Sequence, residues 1–172
     1  MLQRTFALLD AIEQLRRLPH ALVEHGYTPD GELRVPGLVL VSCYPPGKAH
    51  YQRHLDCYGD DNARALTLIM YANAEEWDLE RDGGALRLES AATQQTVDVA
   101  PRGGTIVVFS SKDVWHAVLP TRREARFALT LWIYSVPLDN SLAVLTADAR
   151  GRSQYVWASP SGSAPYAKSR ER

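Results

Sequence analysis

Cysteine is scarce in this sequence, and it has no long apolar run. The 172 residues include two cysteines, Cys43 and Cys57, which are too few for a disulfide framework and are typical of a reducing compartment. No segment reaches the roughly 20 apolar residues that span a bilayer. Asp10 and Glu13 interrupt the apolar N-terminal stretch before it reaches signal-peptide length. We therefore expect a soluble, cytoplasmic protein that does not bind membranes.

The sequence also has no surplus of charge of either sign. It contains 19 Lys and Arg against 20 Asp and Glu, so bulk charge gives no reason to expect a nucleic-acid partner. The length predicts one domain with a single core, which we place at residues 1–150. Residues 151–172 are rich in Gly, Ser, Pro and Arg. Because that composition buries little apolar surface, it predicts a flexible tail.

Hydrophobic periodicity predicts one helix followed by strands. Apolar residues recur at spacings of three and four between Leu2 and Glu24, and Pro19 predicts a kink or a division of this helix into two pieces. From Leu33 onward the pattern is that of an all-β sandwich or barrel, with about seven or eight short strands separated by turns. No helical pattern alternates with the strands, so a parallel βαβ architecture is not expected. The main predicted strands are 37–44, 51–56, 65–73, 85–88, 96–99, 105–109, 115–119 and 125–134.

Two potential metal ligands lie close together in the segment 51–56. His54 and Asp56 are two positions apart, so on an extended strand their side chains project from the same face. Each residue alone has an ordinary interpretation as a polar residue near a strand end. Together with His116, they match the two-histidine, one-carboxylate triad of non-haem Fe(II) oxygenases.

An arginine begins an otherwise apolar strand later in the chain. Arg126 precedes a hydrophobic run that ends at Trp132, and such a residue suits a core only if it faces an anion. Its guanidinium can bind a carboxylate through two hydrogen bonds, and Thr130 lies on the same strand face. Tyr71 ends the most apolar strand and offers a further donor. We predict an anion site here.

These residues carry a family resemblance that covers about residues 38–135. The sequence is similar to Fe(II)- and 2-oxoglutarate-dependent dioxygenases and, among them, to prolyl 4-hydroxylases of the hypoxia-sensor type and their bacterial relatives. The matching positions are Tyr44, Tyr51, His54-x-Asp56, Tyr71-Ala72-Asn73, Asp82-Gly83-Gly84-x-Leu86, Pro101-x-Gly103, His116 and Arg126-x-Ala128-x-Thr130-x-Trp132.

The resemblance implies a fold and a set of roles. The fold would be mainly β, a double-stranded β-helix (jelly-roll, cupin-like) with an N-terminal helical segment. The implied cofactor is Fe(II), with 2-oxoglutarate and O2 as co-substrates and L-ascorbate as reductant. The implied metal ligands are His54, Asp56 and His116; the implied 2-oxoglutarate contacts are Arg126, Tyr71, Thr130 and Tyr44; and the implied substrate contacts are Arg64, Tyr51 and Trp132.

The resemblance leaves the substrate open between several hypotheses. The leading one is hydroxylation of a prolyl residue in a protein or peptide, coupled to decarboxylation of 2-oxoglutarate to succinate and CO2. The first alternative is an oxygenase that acts on a free amino acid or another small molecule. A different class of hypothesis is a catalytically silent jelly-roll binding module. Nucleic-acid demethylation is disfavoured, because Thr130 and Trp132 occupy the positions where such enzymes place a second arginine.

Overall fold

A long N-terminal helix precedes a run of short antiparallel strands. The computed structural model describes residues 2–58, 64–136, 142–147 and 153–158. Neither described helix has the length and hydrophobicity needed to cross a bilayer. The elements in chain order are α1 (Leu2–Glu24), β1 (Glu32–Arg34), β2 (Leu40–Tyr44), β3 (Tyr51–His54), β4 (Arg64–Tyr71), α2 (Leu79–Asp82), β5 (Leu86–Ser90), β6 (Thr96–Val99), β7 (Ile106–Ser110), β8 (Val114–Val118), β9 (Arg126–Val136), β10 (Leu142–Ala147) and β11 (Ser153–Ala158).

Most of the strands belong to two antiparallel sheets. In the larger sheet β9 pairs with β4 along one edge and with β2 and β1 along the other, and β7 lies beyond β4. The smaller sheet has the order β3-β8-β5-β6. The prediction of a mainly β jelly roll with an N-terminal helix is confirmed.

Strand β9 separates two environments by simple alternation. Leu129, Leu131 and Ile133 face α1 and pack with the fully buried Leu15 of that helix. The alternate residues of β9 line a cavity between the sheets, and they are Arg126, Ala128, Thr130 and Trp132. Because side chains of a strand point alternately to its two faces, one strand contributes to the helix-facing core and to the cavity.

A second core cluster lies inside the sandwich, beside the cavity. It contains Ile69, Tyr71, Leu86, Phe109, Val118 and Ala128. Its members come from β4, β5, β7, β8 and β9, so it joins the two sheets. This packing fixes the strands that carry the polar residues described below.

The structure differs from the sequence predictions at two places. Helix α1 continues through Pro19 as one element, and Pro19 is itself fully buried. The connection between β4 and β5, where no helix is predicted, contains the short helix α2, whose first turn is capped by Asp78 accepting a hydrogen bond from Arg81 N. Strand β11 lies inside the segment 151–172, for which composition predicts a flexible tail, and pairs with β10; the tail stays a prediction, because the rest of that segment lies outside the described residues.

Candidate metal centre

The two histidines meet because their strands pair in register. His54 ends β3, and His116 lies in the middle of β8 as its direct cross-strand partner. Directly opposed residues of an antiparallel pair project from the same face of the sheet. The two imidazole centroids are accordingly 4.1 Å apart.

Asp56 reaches the histidines from a bend that follows β3, not from the strand itself. The prediction that it shares a strand face with His54 is therefore wrong, although its side chain does arrive beside both rings. Asp56 Oδ1 lies 3.6 Å from His54 Nε2, and Asp56 Oδ2 lies 3.5 Å from His116 Nε2. One potential ligand atom of each residue lies within 4.8 Å of the others.

Backbone carbonyls fix the orientation of both imidazoles. The Nδ1 of His54 lies 2.8 Å from the carbonyl oxygen of Gln52, and the Nδ1 of His116 lies 3.4 Å from that of Val114. A carbonyl accepts, so each Nδ1 donates to its carbonyl, and the Nε2 of each ring faces Asp56. Histidines that bind a metal typically donate their other ring nitrogen to a carbonyl in this way.

Two buried hydroxyl groups hold the Asp56 carboxylate. Thr67 Oγ1 donates to Asp56 Oδ2 at 2.6 Å, and Ser111 Oγ lies 2.8 Å from Thr67 Oγ1. Burial raises the pKa of Asp56, but hydrogen bonding to His54 and Thr67 and the charge of His116 outweigh it and lower the pKa to about 2. The carboxylate is therefore ionised and available to a cation.

The charge states of the two histidines also suit metal binding. Burial lowers the pKa of His116, which favours the neutral imidazole that a metal requires. Hydrogen bonding to Asp56 raises the pKa of His54, and a bound cation would replace that proton. Two imidazole nitrogens and one carboxylate are the donor set of the non-haem Fe(II) facial triad. Among the described residues, this is the one group of three or more such side chains close enough to share an ion.

The three residues line a cavity of about 440 Å³. Arg126 lines the same cavity and is only 1% exposed. In the described part of the chain no carboxylate forms a salt bridge with this guanidinium. A buried cation is costly unless it is paired, so the cavity holds a metal-ligand cluster together with a cation that lacks an anion.

Aromatic rings and one carbonyl hold Arg126 in place. The guanidinium carbon lies 5.1 Å from the Tyr44 ring centroid and 4.9 Å from that of Tyr71. Arg126 Nε donates to the carbonyl oxygen of Gly84 at 2.9 Å. Burial lowers the pKa of Arg126, while the two rings favour its cationic form.

The comparisons with known proteins agree with this donor set. The family model described as "2OG-Fe(II) oxygenase superfamily" matches residues 39–134. The chain belongs to this superfamily. For such an oxygenase, Fe(II), 2-oxoglutarate and O2 are the expected cofactor and co-substrates.

The oxygenase is similar to several prolyl hydroxylases. A hypoxia-inducible factor prolyl hydroxylase of Caenorhabditis elegans is 37% identical over 94 residues, which are 54% of this chain and 13% of that protein. A Pseudomonas putida prolyl-4-hydroxylase structure is 40% identical with a TM-score of 0.51, covering 56% of this chain and 51% of the other. A Trichoplax adhaerens prolyl hydroxylase, solved with a hypoxia-inducible-factor peptide, is 28% identical with a TM-score of 0.61 and covers 73% and 56%. The oxygenase thus spans little more than half of these structures and 13% of the curated relative.

Most of the other predicted site residues also line the cavity. They are Tyr44, Tyr51, Arg64, Thr130 and Trp132. Tyr71 is absent from the lining of this cavity: it lies against the Arg126 guanidinium, and its Oη has no hydrogen-bond partner in the described part of the oxygenase. Burial raises the pKa of Tyr71 to about 12, so its phenol stays protonated and able to donate.

Sequence reasoning missed several residues of the site. Thr67 and Ser111 are fully buried hydroxyls that touch the Asp56 carboxylate directly or through one another. Thr67 is the one threonine in the apolar run of β4, which is a signal that could have been read. Tyr58 lines the cavity and accepts a hydrogen bond from Leu55 N at 3.0 Å, and no pattern in the sequence indicates this contact.

Proposed function

We propose that this oxygenase hydroxylates a prolyl residue of a protein or peptide and converts 2-oxoglutarate to succinate and CO2. The observation that carries the proposal is the shared cavity, with the His54–Asp56–His116 cluster and the unpaired Arg126 cation on its walls. A ligand with one end for a metal and a carboxylate at the other end fits that arrangement. The prolyl substrate is supported by the named relatives, all of which are prolyl hydroxylases.

His54, Asp56 and His116 would hold Fe(II) through two Nε2 atoms and one carboxylate oxygen. Bound Fe(II) would supply the activation of O2 for C–H hydroxylation, which no protein side chain can perform. The protein supplies the orientation of the donors, because Gln52 and Val114 carbonyls fix both rings. It also supplies a largely apolar chamber, with Leu86 and Val118 among its walls.

Arg126 would bind the distal carboxylate of 2-oxoglutarate. A guanidinium donates to both oxygens of a carboxylate in one plane, and the buried position of Arg126 makes that ion pair stronger than in water. Tyr44 and Thr130 line the cavity on the same side of the larger sheet and would complete this subsite. Tyr71 would act from behind the guanidinium, through the ring contact at 4.9 Å.

The solvent-exposed part of the cavity would admit the polypeptide. Tyr51 and Tyr58 line it and are 53% and 52% exposed, so both rings are accessible from solvent. Arg64 lies with its guanidinium carbon 4.2 Å from the Trp132 ring centroid and donates to the Asp56 carbonyl at 3.2 Å. These aromatic surfaces suit an extended, proline-containing segment. Ascorbate as reductant and a cytoplasmic location stay predictions from the sequence.

Anaerobic titration with Fe(II) and 2-oxoglutarate tests the core of the proposal. The wild type should develop the weak visible metal-to-ligand charge-transfer band of an Fe(II)–2-oxoglutarate complex. His116→Ala should abolish the band, and Arg126→Ala should raise the 2-oxoglutarate concentration needed to produce it. His20→Ala and Arg17→Ala, at exposed positions of α1, are matched controls that should behave as wild type. Absence of the band in the wild type would refute the oxygenase activity.

Succinate release then tests the substrate. Peptides that contain proline should stimulate succinate formation and gain the mass of one oxygen atom, whereas the same peptides with alanine in place of proline should do neither. Stimulation by free amino acids alone, with no peptide oxidised, would replace the prolyl proposal with a small-molecule oxygenase.

A further inference from the structure

We infer that Gly84 is a positioning residue for the co-substrate: its carbonyl holds the Arg126 guanidinium so that two terminal nitrogens face the ligand carboxylate. The inference rests on the proposed function, because the ligand in question is the distal carboxylate of 2-oxoglutarate. It goes beyond that function by assigning a role to the Gly83-Gly84 pair and to Trp77.

The donors of Arg126 can be counted. A guanidinium has five N–H groups in a fixed plane, and the Nε group is taken by the Gly84 carbonyl at 2.9 Å. The Tyr44 and Tyr71 rings lie near the guanidinium carbon, at 5.1 and 4.9 Å. What stays available for a bidentate contact is the pair of terminal nitrogens. The Gly84 carbonyl therefore selects the edge of Arg126 that binds a carboxylate.

Gly84 cannot be replaced without disturbing this contact. Its φ is +70°, a conformation that side chains with a Cβ rarely adopt. A Cβ at this position would lie 3.2 Å from Arg126 Cδ and 3.4 Å from Thr121 Cγ2. Alanine would thus strain the turn and press on the arginine side chain at the same time.

Neighbouring segments hold the Gly84 carbonyl in place. Gly84 N donates to the Pro120 carbonyl at 3.0 Å, and Trp77 Nε1 donates to the Gly83 carbonyl at 2.9 Å. Thr121, only 1% exposed, forms a β-bridge with Gly83 and donates its hydroxyl to the Pro45 carbonyl at 2.7 Å. Three chain segments are joined here, so the carbonyl that orients Arg126 belongs to a rigid part of the fold.

The experiment compares two ligands that differ only in the distal carboxylate. Anaerobic Fe(II)-loaded protein is titrated with 2-oxoglutarate and with 2-oxopentanoate, which has the same carbon chain without that carboxylate. Gly84→Ala should weaken 2-oxoglutarate binding about 10- to 100-fold, as expected for a disturbed charged hydrogen bond. Binding of 2-oxopentanoate and of Fe(II) should change by less than about twofold, because neither contacts Arg126.

Two further variants control for strain and folding. Gly104 also has a positive φ, +79°, but a Cβ there would meet no atom within 4 Å, so Gly104→Ala should leave both affinities unchanged. Trp77→Phe keeps a buried aromatic ring, but it loses the hydrogen bond to the Gly83 carbonyl and part of the indole volume. This variant should weaken 2-oxoglutarate binding about three- to tenfold. It tests the same positioning role if the Gly84→Ala protein does not fold.

The outcomes separate this inference from the proposed function. A wild type that binds no 2-oxoglutarate overturns the proposed function and this inference with it. A wild type that binds it, while Gly84→Ala and Trp77→Phe bind it equally well, overturns the positioning role alone. An equal loss for both ligands also overturns that role, since it indicates general damage to the cavity.

Discussion

The sharpest prediction concerns the hydroxyl group of Thr67. Thr67→Val keeps the volume and β-branched shape of the side chain and removes the donor that lies 2.6 Å from Asp56 Oδ2. Thr67 is 0% exposed and Asp56 is 8% exposed, so water cannot easily replace the lost contact. The carboxylate should then lose its fixed orientation, and its pKa should rise from about 2.

The size of the effect follows from the geometry. A buried hydrogen bond to a charged group contributes about 1.5–3 kcal/mol. If that contribution orients Asp56 for the metal, its loss corresponds to roughly a 10- to 150-fold decrease in metal affinity. A similar loss of metal affinity, about 10- to 100-fold, is typical when a group that hydrogen-bonds to a metal ligand is removed.

Calorimetric titration with Mn(II) or Co(II) in the absence of oxygen measures this affinity without requiring turnover. Thr67→Ser retains the hydroxyl and should stay within about threefold of wild type. Thr96→Val makes the same chemical change at an exposed position of β6 and should have no effect. A Thr67→Val protein that folds and binds metal within twofold of wild type would refute the idea that this hydroxyl orients Asp56.

Three more predictions concern stability, each read from urea unfolding of the metal-free protein. Arg126→Met should raise the free energy of unfolding by about 1–2 kcal/mol, because it removes a buried charge that lacks an anion, and should weaken 2-oxoglutarate binding. Leu15→Ala should lower it by about 2–5 kcal/mol, since Leu15 is 0% exposed in the helix-facing core. The pKa of Asp56 is lowered to about 2 from an ordinary 3.8. Its ionised form therefore contributes about 2 kcal/mol to the free energy of unfolding above roughly pH 4, and this contribution is lost as the pH falls through about 2. The difference in free energy of unfolding between wild type and Asp56→Asn should shrink over that range. A free energy of unfolding equal to that of wild type would contradict the first two predictions. A difference between wild type and Asp56→Asn that stays constant with pH would contradict the third.

The sequence predicted which residues form the site better than it predicted how the fold brings them together. His54, Asp56 and His116 were selected by residue type and by the matching pattern of Arg126. The two histidines meet because of the register between β3 and β8. No local sequence pattern predicts that register, because it is set by long-range packing. Asp56 is positioned by Thr67 on β4 and, through it, by Ser111. Asp56 follows a strand of the smaller sheet and Thr67 belongs to the larger one, so their contact exists only after the two sheets have packed together.

The fold could be predicted where the apolar residues of a segment recur with a clear helical or strand period. Strand β6 has the predicted bounds, Thr96–Val99, and β9 is the predicted long apolar strand. Helix α1 was predicted, but not its continuity, because Pro19 removes one helical hydrogen bond. Burial of Leu15 and Pro19 explains why the helix continues regardless, since tertiary packing supplies most of the stability of such a helix.

The metal-ligand cluster and Arg126 differ in charge balance, and this difference favours one order in which metal and co-substrate bind. Asp56 is ionised and faces two imidazole rings, so a second negative group beside it is unfavourable until a cation is present. Arg126 is buried without an anion and favours a carboxylate at once. A dicarboxylate that reached the cavity before the metal would gain one ion pair at Arg126 and place its other carboxylate near Asp56. The metal removes that repulsion, so the site favours metal first and co-substrate second, for reasons of charge alone.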